Sequence, residues 1–183
     1  MGMRGFWWLA LVKRNPTPHE TAEIGQLEVP MNLIAALLLD GHKFAGWGTN
    51  YEGENFLGRR ELVPLVNNSA LMLHYTATRI DGKPLHREAT LLAQSHHIGL
   101  CLWPVMEEWS FVLPHPEKSS TVLAGGGVKA ILASGPREMT EHFQEEITVE
   151  LKHDRELTYA HSWGMPGGTF EARPSAVMLP VAG

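Results

Sequence analysis

A single cysteine in 183 residues, Cys101, is the scarcest feature of this chain, and its isolation removes several chemistries at once. There is no disulfide framework, no four-cysteine zinc site and no CxxC redox pair. Cys101 also lies in the apolar run IGLCLW, where burial raises a thiol's pKa and suppresses its nucleophilicity. Clustered positive charge is absent too. Fifteen Lys and Arg against 20 Asp and Glu leave a formal charge of -5, with no basic run or stripe to meet phosphates, so a nucleic-acid partner is not expected. Long apolar runs are missing as well. MNLIAALLLD, Met31 to Asp40, is about half the roughly 20 residues that cross a bilayer, and a membrane partner is not expected. The apolar stretch Gly5 to Val12 is followed by Lys13, Arg14 and Asn15, not by the small residues of a signal cleavage site. A reducing cytoplasm is the expected location.

The familiar catalytic signatures are also lacking. No HExxH, no GxSxG elbow and no GxxxxGK[ST] phosphate loop occurs, and Gly125 to Gly127 reads as a hairpin turn. His96 and His97 are adjacent, so on a strand they point to opposite faces and cannot chelate one ion together. A solvated loop is the simpler reading, and no metal ligand set is assigned. Internal repeats and low-complexity tracts are absent.

What remains is the composition of one soluble globular domain, 44% hydrophobic and 19% charged. Residues 1–30 carry Pro16, Pro18, Gly25 and Pro30 among scattered charges and read as an N-terminal arm. Residues 31–183 form the domain proper. Met31 to Asp40 has helix formers without Pro or Gly, and Gly41 follows where a left-handed C-cap sits. Its leucines cover most of the circumference, which predicts a short helix packed under or across a sheet.

After Gly41 the apolar period changes to two. WGTNYEGENF, RELVPLV, LMLHYTATRI, PLHREATLLA, IGLCLW, EWSFVL, STVLAG, GVKAILAS, EEITVELK, ELTYAHSW and TFEARPSAVML each read as strands, separated by turn signals such as IDGKP, HPEKS and GMPGG. Asp81-Gly82 is a two-residue hairpin signal. In MTEHFQEEITVEL the Glu, Met, Gln and Leu favour helix while ITVEL favours strand, so the second half reads as strand and the first half stays open. With no helix between strands, the predicted fold is all-β: a single closed antiparallel barrel of about ten strands with a short N-terminal helix.

The hairpin strands have two mixed faces. Leu71, Leu73, Tyr75 and Ala77 alternate with Met72, His74, Thr76 and Thr78, and Leu85, Arg87 and Ala89 alternate with His86, Glu88 and Thr90. Such faces suit a barrel around a partly polar cavity. Trp47, Tyr51, Tyr75, Trp103, Trp109, Phe111, Tyr159 and Trp163 are candidate walls, or simply core. His86 and Glu88 share a face, as do His74 and Thr76, and across the turn these form either a ligand-orienting acid-base group or a structural polar pair. Tyr159, His161 and Trp163 alternate on ELTYAHSW. If that face points inward, His161 is the best single polar handle for a ligand.

In order, FAGWGTNYEG, DGKPLHREA, ELTYAHSWGM and TFEARPSAVML resemble the nitrobindin and fatty-acid-binding-protein-like barrels of the calycin group, over about residues 31 to 181. The resemblance implies a short helix before a Gly-Trp first strand, about ten antiparallel strands and one ligand cavity. It also implies a basic residue on the last strand, here Arg173, closing the barrel end against Trp47. Haem-binding members use a histidine on the final strand, and TFEARPSAVML has none. The resulting expectation is a non-enzymatic binder of a small hydrophobic or amphipathic molecule, through Trp47, Tyr51, His74, Tyr75, His86, Glu88, Trp109, His161 and Trp163. No cofactor is assigned; the alternative is a haem barrel acting on nitrogen oxides. A homodimer is compatible with either.

Overall fold

The computed structural model describes residues 32–39, 41–65 and 67–182. The arm at residues 1–30 lies outside the described residues. A helix, α1 (Leu33–Leu39), precedes ten strands: β1 (Lys43–Thr49), β2 (Asn55–Leu65), β3 (Ala70–Arg79), β4 (Pro84–Ser95), β5 (Gly99–Met106), β6 (His115–Val122), β7 (Val128–Ala133), β8 (Gln144–Leu151), β9 (Leu157–Gly164) and β10 (Glu171–Pro180). Each strand pairs antiparallel with its neighbour in sequence, and β10 closes on β1. Closure gives every described strand two neighbours, although β5 and β6 pair only through Cys101 with Pro116 and Leu102 with His115. Two expected strand boundaries move. Residues 50–54 form a turn between β1 and β2, and EWSFVL is a loop, whereas HPEKS, expected as a turn, begins β6.

Asn32 caps α1, its side-chain oxygen accepting from the Ala35 amide at 2.9 Å. Gly41 then takes a φ of +102° that an L side chain resists. The helix buries Leu33, Ile34, Ala36 and Leu37 and packs on β2 and β7. At roughly 2 kcal/mol per buried leucine, this face seals the barrel end where β1 begins. The β3–β4 hairpin differs from its two-residue expectation. Gly82 N donates to Arg79 O and Arg79 N donates to Lys83 O, both at 2.9 Å, so the loop is Ile80-Asp81-Gly82, with Gly82 at φ +85°. That is a three-residue turn with a glycine bulge.

Alternation decides what the barrel encloses. Phe44, Leu62, Leu71, Leu73, Leu92, Leu102, Val149, Leu157 and Met178 belong to one buried core cluster with the helix residues, and Phe56 carries that cluster up to the opposite end. Gly46 and Gly48 on β1 allow the barrel to close tightly. A Cβ on Gly46 would lie 1.9 Å from the Val177 carbonyl oxygen, and one on Gly48 would meet the Phe56 ring. Among the described residues no helix is long and apolar enough to cross a membrane.

Candidate functional site

Opposite the helix, the barrel holds a cavity of about 440 Å³, within the size range of small-molecule sites. Its residues come from the strand ends far from α1: Asn50 to Glu52 after β1, Arg79 ending β3, Leu85 and His86 opening β4, Met106 ending β5 with Glu108 and Trp109 beyond it, Phe143 before β8, and Trp163 near the end of β9. Aromatic side chains form a connected collar. Trp109 and Phe143 have ring centres 4.5 Å apart, Phe143 and Trp163 6.3 Å, and Trp163 and Tyr51 6.5 Å. Deeper in, Tyr75, Tyr159, His86 and His161 line the floor.

Beneath this floor lies a charged layer that alternation delivers from five strands. Glu88 on β4 is fully buried, and its Oε1 accepts from the Tyr159 hydroxyl at 2.7 Å and from the Thr90 hydroxyl. Arg60 on β2 places Nη2 3.8 Å from the same carboxylate and its guanidinium 3.4 Å from the Tyr159 ring centre. His86 Nε2 and His161 Nε2 stand 3.5 and 3.8 Å from Glu88 Oε2. On their other sides, His86 Nδ1 donates to Glu108 at 3.1 Å and His161 Nδ1 donates to Glu145 at 2.8 Å. Glu145 also accepts from His115 Nε2 at 3.1 Å, while His115 Nδ1 donates to the Leu113 carbonyl at 2.9 Å. Carboxylates and imidazoles therefore alternate from Glu108 at the mouth, through Glu88, to His115 in the far wall.

This alternation sets the ionisation of its members. Burial alone would raise the Glu88 carboxyl, but His86, Arg60, His161 and the Thr90 hydrogen bond hold it well below the usual carboxylate range. Burial likewise opposes ionisation of Glu145, yet His115 and His161 bring it from 4.5 down to about 2. Burial would lower His86, and the carboxylates of Glu88 and Glu108 outweigh it and raise it above 6.5. The Tyr75 and Tyr159 phenols are pushed up by burial. The Cys101 thiol, also buried, is pushed up to about 11 and lies outside the cavity.

Of the residues expected at a site, Tyr51, Tyr75, His86, Trp109, His161 and Trp163 come together around the cavity. Glu88 sits directly behind them. Two others are elsewhere. His74 is exposed on the outer face, because Tyr75 pairs with Glu88 and Ala77 with His86, so the inward neighbours of His86 and Glu88 are Tyr75 and Ala77, not His74 and Thr76. Trp47 also points outward and is 61% exposed, since Phe44, Gly46 and Gly48 take the inward positions of β1. Arg173 consequently does not meet Trp47. Its guanidinium lies 4.1 Å from the Trp163 ring centre and its Nε donates to the Trp163 carbonyl at 3.5 Å, bracing the collar from behind. Arg60, Glu108, His115, Phe143 and Glu145 were not anticipated. Period two in NFLGRREL and QEEITVEL places Arg60 beside Gly58 and Leu62 and Glu145 beside Ile147; that signal was available, although a charge in such a run reads as outward.

No family model matches the chain, and no curated protein matches it. Among solved structures, the crystal structure of Rv2717c from M. tuberculosis is similar, with a TM-score of 0.64 and 17% identity, over 80% of this chain and 98% of that one. This chain shares that fold. At such identity the likeness carries the architecture and leaves function to the site.

Proposed function

We propose that the barrel binds a small hydrophobic or amphipathic organic molecule and performs no chemistry on it. One observation supports this reading above all: an aromatic cavity of about 440 Å³ that ends on a few polar side chains. Burial against Tyr51, Phe56, Leu85, Met106, Trp109 and Phe143 supplies affinity, and His86, His161 and Tyr75 orient the polar end. A closed wall already held by ten hydrogen-bonded strands presents this surface at low ordering cost.

The haem reading fits the residues poorly. An axial imidazole needs a nitrogen aimed at the iron, but His86 Nε2 and His161 Nε2 both face Glu88 Oε2, at 3.5 and 3.8 Å, while their Nδ1 atoms are held by Glu108 and Glu145. Both rings are thus held between two carboxylates and turned away from a shared axial position. Strand β10 contributes Pro174 to the cavity, not a histidine.

Native mass spectrometry of protein purified from its host tests the proposal by reporting any retained molecule together with the subunit count. A bound organic mass in wild type that disappears in Ala77→Phe, which fills the floor beside His86, is the expected result. Retention of the same molecule by a folded Ala77→Phe variant would place binding elsewhere. Added haemin should give no bound Soret band, and a Soret band lost on His161→Ala would restore the haem reading.

A further inference from the structure

The fixed charges around the cavity are not balanced on the side a ligand meets. Glu52, Glu108 and Glu145 line it, whereas among the described residues Arg79 is the one lysine or arginine that does, and its guanidinium is tied to Glu54 at 3.3 Å. Arg60, buried in the interior, is sealed behind Tyr75 and Tyr159 and does not line the cavity. His86 and His161 do face it, yet each stands between two carboxylates, so any charge they carry is already matched.

The collar adds to this asymmetry. Aromatic faces are the negative ends of ring quadrupoles and attract cations, at about 0.5–1 kcal/mol when exposed and about 2 kcal/mol or more when desolvated. The chain itself uses these rings in that way. Arg173 lies 4.1 Å from the Trp163 ring centre and Arg60 3.4 Å from that of Tyr159. Among the described residues, no arginine or lysine lies over Trp109 or Phe143, the two collar rings nearest to Glu108 and Glu145 in sequence. The formal charge of -5 further favours the approach of a cation.

We propose that the cavity selects organic cations, an ammonium group on an apolar body, with Trp109 and Phe143 taking the charged end and the carboxylates of Glu108 and Glu145 compensating it. This rests on the reading of the cavity as a binding site and names the chemical class it takes. The apolar part lies against Phe56, Leu85 and Met106. An acid of the same length meets the carboxylates of Glu52, Glu108 and Glu145, while Arg79 and the two histidines already stand against carboxylates, and it is rejected by repulsion and not by shape.

Isothermal titration calorimetry of the whole protein at pH 7.5, with three probes of equal chain length below their micellar concentrations, tests the assignment. Decyltrimethylammonium should bind about tenfold or more tighter than decanoate, with decanol between them. Trp109→Leu, which keeps an apolar wall but removes the ring face, should weaken the ammonium about fivefold and change decanol by less than twofold. Decanoate or decanol binding as tightly as the ammonium would overturn the cation assignment and leave the binding function standing. Equal losses for ammonium and decanol in Trp109→Leu would also overturn it. Silence from all three probes on folded wild type would overturn both.

Discussion

Replacing Glu88 by Gln tests the charged layer directly. The side chain keeps its shape and an oxygen for the Tyr159 and Thr90 hydroxyls, and loses only its charge. Arg60 then remains in the interior with its side chain 2% exposed and no carboxylate partner. A guanidinium cannot escape by losing its proton. At 3.8 Å and an effective dielectric constant of about 20, the lost attraction is about 4 kcal/mol, in line with the roughly 3–5 kcal/mol that follows from breaking a buried pair by removing one partner. His86 and His161 limit the damage, because either imidazole can shed a proton when its shared carboxylate is gone. Urea unfolding at pH 7 should therefore show Glu88→Gln destabilised by about 3 kcal/mol, equivalent to a melting temperature lower by roughly 6–12 °C in a chain of this size. Arg60→Met alone should also destabilise, and Arg60→Met with Glu88→Gln should be more stable than the sum of the two losses, with a coupling energy of about 2–3 kcal/mol. A Glu88→Gln protein within 1 kcal/mol of wild type, or strictly additive losses, would refute the buried pair.

Stability should depend on pH on both sides of a plateau. Glu145 is lowered in the folded state, from 4.5 to about 2, so its contribution is complete above about pH 5 and is lost as pH falls toward 2. His86 is raised above 6.5, so its contribution is complete below about pH 6 and is lost as pH rises through its folded value; chemical denaturation from pH 3 to 9 should show both limbs, with His86→Gln flattening the alkaline one. Gly46→Ala should cost roughly 3 kcal/mol or more, because its Cβ would sit 1.9 Å from the Val177 carbonyl oxygen and no side chain can yield there; a melting temperature equal to wild type would contradict the closure of β1 on β10. Arg173→Ala should cost about 0.5–1 kcal/mol through its stacking on Trp163 and alter the tryptophan emission of the collar, whereas unchanged stability and emission would remove its bracing role. His74→Ala, on the outer face, should leave stability within about 0.5 kcal/mol of wild type.

Much of the barrel is legible because its signals are local. Apolar alternation in LMLHYTATRI and ELTYAHSW, the glycine after Asp81, and a leucine-rich helix ended by Gly41 act over a few residues, and neighbouring strands joined by short turns have little choice but to pair. The strand boundaries that moved lie where local signals conflict: HPEKS carries turn residues, yet Pro116 faces Cys101 on β5, where closing the barrel outweighs its turn preference. The direction of each face is a different matter. A mixed strand places His74 or Tyr75 inward with equal ease until the register with β4 is set, and that register follows from a three-residue loop and a glycine bulge, not from the residues of the strand. Trp47 points outward for a related reason, since at Gly46 and Gly48 β1 lies so close to β10 and Phe56 that no side chain fits on the inner side there. The charged interior is the least legible part. Arg60, Glu88, His115, Glu145 and His161 come from five strands; Glu88 and His161 were candidates whose facing stayed open, and Arg60, His115 and Glu145 in isolation read as solvated residues. Local chemistry thus dictates a closed β-barrel with a helical plug; the alternating acid and imidazole layer under its cavity exists only after closure, because burying a charge requires partners that the chain supplies from far apart in sequence.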